Sequence, residues 1–105
     1  MEQPNKSYID SLCGDDKDFE KQLIDIIQKE FPEEKKTYYD SKTVQDFKKT
    51  AEIVHKLKHK ISILGLEKSY EDAGAFEKNL LDGNNKLQNE FESTLTNITN
   101  YLNQL

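Results

Sequence analysis

Arginine and tryptophan are absent from this sequence of 105 residues. All 15 basic side chains are lysines, set against 20 Asp and Glu, for a formal net charge of −5. Without a guanidinium the chain lacks the planar fork that grips a phosphate or a base edge at two points. An acidic balance also removes the field that draws a protein onto a polyanion. Nucleic-acid binding is therefore not expected.

Cysteine is nearly absent too. Cys13 stands alone, so no disulfide can form within the chain. It has no catalytic-type neighbour in sequence and reads as a small buried or half-buried apolar residue. No apolar run approaches membrane-spanning length, and the opening MEQPNKSYIDSL has no apolar core of signal-peptide size. No membrane association and a cytoplasmic, soluble protein are the expectations. Only 34% of residues are apolar and 33% are charged. That composition is polar enough to permit disorder, so periodicity has to decide.

Glycine and proline are scarce and act as punctuation: Pro4 and Pro32, then Gly14, Gly65, Gly74 and Gly83. No window alternates apolar and polar residues as a strand would, whereas helical spacing recurs throughout. A short helix is expected over Ser7 to Leu12, stopped by Gly14. The next starts after Asp15 as N-cap, with Phe19, Leu23, Ile26, Ile27 and Phe31 as its apolar stripe. Pro32 is expected to kink it, or to end it and begin a further segment through Tyr38. A third helix starts near Thr43 and carries Val44, Phe47, Ala51, Val54, Leu57, Ile61 and Leu64 up to Gly65. A fourth runs from about Lys68 to Asp82 with Tyr70, Ala73, Phe76, Leu80 and Leu81. The last runs from about Asn85 to the C-terminus with Leu87, Phe91, Leu95, Ile98, Leu102 and Leu105. One stripe per helix and short connections predict a single all-α domain spanning residues 1–105, an antiparallel four-helix bundle with a short additional N-terminal helix. Stripes this regular also exclude disorder.

Both histidines, His55 and His59, lie one turn apart in the third helix. At about 100° per residue, Val54, Leu57, Ile61 and Leu64 fall on one side, which must face the core. His55, Lys58, His59 and Ser62 share another sector, directed to water or to a partner. Three readings compete for that sector. A charged, solvated face is the simplest. A metal site is disfavoured, because no Cys is near, no Glu stands between the histidines as in HExxH, and Lys56, Lys58 and Lys60 repel a cation. The third is a phosphoryl acceptor, since a neutral imidazole is nucleophilic near neutral pH. Seven lysines and three acids between residues 42 and 68 give a local balance of +4, leaving −9 for the rest of the chain. Positive charge beside the histidines would offset an incoming phosphoryl group.

The stretch AEIVHKLKHKISILGL resembles the signature of histidine-containing phosphotransfer (HPt) domains. That signature has a histidine, a leucine two residues on, a lysine three on and a glycine ten on; His55, Leu57, Lys58 and Gly65 fall in register. Ala51 is a loose counterpart of the small residue that precedes the histidine. DDKDFEKQLIDIIQKEFPEE resembles the family's acidic start and apolar helix ending in Phe, and AGAFE (Ala73 to Glu77) its later small, apolar and Glu pattern. The resemblance spans roughly residues 8 to 100. His59 and Lys60 depart from it, because the family usually has glycine and then small residues after the lysine.

The resemblance implies a phosphoryl carrier, not an enzyme with kinase activity of its own. No Gly-rich phosphate loop is present. His55 would take a phosphoryl group from the aspartyl phosphate of a receiver domain and pass it to another receiver. Lys58 would offset the phosphoryl charge. Ala51, His59, Ser62 and Ile63 would border the docking face, Ile63 as an apolar residue outside the core stripe. Response-regulator receiver domains and a hybrid sensor histidine kinase are the implied partners, and the chain would act as a monomer. No metal or cofactor is implied for this chain, Mg²⁺ belonging to the receiver. Two alternatives are a receiver-binding module in which His59 blocks the chemistry and a helical scaffold unrelated to phosphorelay. Retention of both His55 and Lys58 argues against the first, and the register of Leu57 and Gly65 against the second.

Overall fold

The computed structural model describes residues 2–105, and these are all-helical, with no strand. The helices are α1 (Ser7–Cys13), α2 (Lys17–Thr43), α3 (Phe47–Ile63), α4 (Glu67–Leu81) and α5 (Gln88–Leu102). α3 packs most extensively, against α4 on one side and α2 on the other; α5 contacts α4 and α2, and α1 lies on α2. The result is an elongated body of 45 × 23 × 19 Å.

The helix starts have local causes. Asn5 Oδ1 accepts from Ser7 N–H at 3.0 Å before α1. Asp16, not Asp15, caps α2 by accepting from Phe19 N–H at 2.9 Å. Asp46 caps α3 through Lys49 N–H at 3.1 Å. This moves the start of α3 past the expected Thr43, which belongs to the end of α2. Val44 drops out of the stripe and is 73% exposed. α5 likewise starts three residues later than expected, because Leu87 takes a left-handed conformation at φ 74°.

Pro32 neither ends α2 nor splits it: the helix runs unbroken through 27 residues. A proline in that position withholds one N–H, so the Gln28 carbonyl four residues back loses its helical donor. Packing of the flanking turns outweighs that loss. Ile27 and Phe31 before Pro32, and Tyr38 after it, are all buried.

One apolar cluster joins all five helices. At its centre Tyr38, Phe76 and Phe91 meet at ring-centroid distances of 5.1 to 6.3 Å. The Tyr38 hydroxyl donates to Glu92 Oε2 at 2.9 Å. Burial and that bond push its titration well above the usual tyrosine range. Cys13 is buried, as its sequence context suggests. Several stripe members lie outside: Phe19, Ile26, Tyr70, Leu81 and Leu105 are exposed. The first two sit at the edge of a stripe wider than the surface α2 has to cover.

Candidate functional site

α3 presents its two faces as the helical wheel requires. Val54, Leu57, Ile61 and Leu64 are all buried, whereas His55, His59 and Ser62 are exposed. Gly65 ends the helix at φ +79°, and Asn5 covers it so closely that a Cβ there would lie 2.6 Å from the Asn5 amide nitrogen. The left-handed conformation favours glycine here, and a larger residue would also have to displace the Asn5 side chain.

The decisive contact at the face comes from α4. Both Glu77 oxygens lie close to His55 Nδ1, Oε2 at 3.2 Å and Oε1 at 3.4 Å, and Oε1 is also 3.1 Å from Lys58 Nζ. A carboxylate can only accept, so a neutral imidazole beside it keeps its proton on Nδ1 and its lone pair on Nε2. The contact favours the tautomer with its proton on Nδ1, and the side chain stays 53% exposed. His59 packs edge-on against His55, with ring centroids 5.0 Å apart. The imidazole thus has a carboxylate at Nδ1 and a second imidazole at its flank.

Lys58 does not stand free as the sequence suggests. Its side chain is only 16% exposed, and its ammonium lies 5.4 Å over the Tyr70 ring. Its charge is matched by Glu77. The same holds for most of the local positive charge. Lys42 pairs with Glu92 at 2.6 Å. Lys60 is buried and bridges Glu30 and Glu34, each at 3.0 Å. Of the seven lysines counted there, Lys48, Lys49 and Lys56 are exposed without a carboxylate within 4.0 Å among the described residues. The charge excess in sequence is therefore mostly neutralised across helices.

Two expected members of the face lie elsewhere. Ala51 is 2% exposed and belongs to the core, so it offers a partner no side-chain surface. Ile63 is half-buried and packs against the core cluster. His59 and Ser62 remain exposed beside His55. Glu77 is the residue that was not assigned a role from sequence. Its signal is the acid that closes AGAFE, on a helix whose neighbours Ala73, Phe76 and Leu80 point inward.

No family model, curated protein or solved structure matches the chain. Among the described residues, no group of three or more His, Cys, Asp or Glu gathers to hold a metal ion. None of their helices is long and apolar enough to cross a membrane.

Proposed function

We propose that this chain is a histidine-containing phosphotransfer domain, its four long helices forming an antiparallel bundle and His55 carrying the phosphoryl group. The observation that carries this reading is the His55–Glu77 contact: an exposed imidazole, fixed through Nδ1, with Nε2 free to attack. The sequence resemblance around His55, Leu57, Lys58 and Gly65 supports it independently.

In this reading Nε2 attacks the phosphorus of an aspartyl phosphate on a docked receiver. The N–P bond forms as the P–O bond to the aspartate breaks, and the electron pair leaves on the aspartate carboxylate. The ring gains positive character, and its Nδ1 proton stays shared with Glu77, whose negative charge stabilises the product. Lys58 pairs with Glu77 Oε1 at 3.1 Å and fixes its position. This differs from direct neutralisation of the phosphoryl group by Lys58, because the ammonium is already paired. Transfer to a second receiver is the reverse sequence. The chain supplies no kinase chemistry, and the divalent cation of the step belongs to the receiver. A cytoplasmic monomer between a hybrid sensor kinase and a response regulator is the setting that follows.

His59 favours one competing reading, a receiver-binding module without transfer, because its ring occupies the flank of His55. One experiment separates them. A receiver loaded on its aspartate is mixed with wild type, His55→Gln and His59→Gln. The carrier reading expects an acid-labile phosphate on wild type and His59→Gln and none on His55→Gln. Labelling of His59→Gln alone would identify the blocked module, and no labelling of any form would overturn the carrier reading.

A further inference from the structure

Five lysines are not fully exposed: Lys6, Lys35, Lys42, Lys58 and Lys60. Four of them have a carboxylate oxygen within 4.0 Å. Lys35 is the exception among the described residues. Its ammonium donates to the neutral Thr99 hydroxyl at 2.8 Å and meets no acid, in a chain with 20 of them. Withdrawing a cation from water without a counter-charge is unfavourable, so its surroundings invite inspection.

Lys35 lines a groove of about 470 Å³ between α2 and α5, within the range of small-molecule sites. Its walls are apolar where Phe31, Pro32, Tyr39 and Leu102 meet. The Gln28 amide donates to the Leu102 carbonyl at 3.1 Å and ties the two walls together. Lys36 and Asp40 sit at the groove as a pair 2.9 Å apart, so their charges cancel. The groove is thus an apolar slot with one uncompensated positive charge.

We propose that this groove binds a small amphiphilic monocarboxylate, an aliphatic or aryl body lying along Pro32 and Tyr39 with its carboxylate on Lys35. One net positive charge matches a monoanion and leaves a phosphate dianion half uncompensated. None of the lining residues belongs to α3 or α4, which carry His55 and Glu77. Occupancy therefore leaves the histidine face open, and the site stands whether or not His55 accepts phosphate.

The test is an amide NMR titration of the full chain with octanoate, octanol, octylamine and inorganic phosphate. Octanoate should give saturable shifts confined to residues 28–40 and 99–103, with octanol at least tenfold weaker and octylamine and phosphate without effect there. Lys35→Met keeps the stem and removes the charge; it should weaken octanoate at least tenfold and leave octanol unchanged. The same spectra report whether the variant is folded, and Lys35→Arg, which keeps the charge, should retain binding. Shifts scattered over the whole surface, equal response to octanol, or full octanoate affinity in Lys35→Met would overturn the assignment. Binding of phosphate in place of octanoate would do so as well.

Discussion

A single carboxylate sets the state of the candidate nucleophile. Glu77 Oε1 is shared by His55 Nδ1 at 3.4 Å and Lys58 Nζ at 3.1 Å, and Oε2 lies 3.2 Å from the same Nδ1. Glu77→Gln keeps the shape and an acceptor for Nδ1–H but removes the charge that balances the ring in the product. A hydrogen bond to a charged group is worth about 1 kcal/mol more than one to a neutral acceptor, which is about fivefold in rate. Phosphoryl transfer to His55 should fall by about that factor with no loss of helicity, read by transfer kinetics beside circular dichroism. An unchanged rate would remove Glu77 from the mechanism. Lys60 poses the complementary case. It is 8% exposed, and Glu34 beside it has a second oxygen, Oε1, buried without a partner. Lys60→Met should leave that carboxylate uncompensated and cost about 2 kcal/mol, below a fully buried pair because Glu30 is half exposed and screened by water. Chemical denaturation measures it, and a neutral result would mean that the pair contributes nothing net.

α2 is the element in which local preference and packing disagree most openly. Pro32 stands inside an unbroken helix, at a position where it costs up to ~3 kcal/mol in isolation. Pro32→Ala restores a donor for the Gln28 carbonyl, and the protein should gain about 1–2 kcal/mol, seen as a higher denaturant midpoint at unchanged slope. A loss of stability would show that the ring's contacts on the α2–α5 seam outweigh the missing bond. The same element shows what was legible beforehand. Regular spacing exposed the buried sides of α3 and α5 and the Ala73, Phe76 and Leu80 centre of α4, because a single-sided stripe has one physical solution. It could not rank the edges of the α2 stripe, since Phe19 and Ile26 satisfy the period while lying beyond the surface that α1, α3 and α5 cover. Helix starts shifted where caps compete: Asp15 and Asp16 are both good caps by type, and only the chain path selects Asp16. At the site, the exposure of His55, His59 and Ser62 followed from the wheel. Ala51 falls inside the histidine sector at about 100° per residue, and Ile63 beside it. Yet Ala51 is buried in the core and Ile63 packs against it, which the wheel of a single helix does not reveal. The pairing of Lys58 and Lys60 was invisible for a related reason. Charge summed along a sequence does not reveal acids arriving from α2 and α4.

At the scale of the molecule, the segment before α1 acts as a strap. Glu2 reaches across to the start of α4, where its two carboxylate oxygens accept from Lys68 N–H and Ser69 N–H, each at 2.9 Å. Leu66, the N-cap residue of α4, provides no side-chain cap, so a residue more than sixty positions away does that work. The Glu2 carbonyl also accepts from Asn97 of α5 at 3.0 Å. Asn5 N–H donates to the Leu64 carbonyl at 2.9 Å and closes the same path over the end of α3. The backbone bond from Lys68 is the main cause that holds the Glu2 carboxyl below its ordinary value of 4.5, aided by Ser69 and opposed by partial desolvation. A carboxyl depressed in the folded state contributes stability that is present above its unfolded value. That contribution is lost as pH falls from there through the lower folded value. Glu2→Gln should therefore lower stability at pH 7 and narrow its gap to wild type as pH drops below 4.5. Denaturation midpoints of both proteins between neutral and acidic pH test this. Convergence in acid fits a charged cap that ties the N-terminal segment to α4. A gap that stays constant would assign the effect to packing of the segment and leave the carboxylate without a role in holding the helices together.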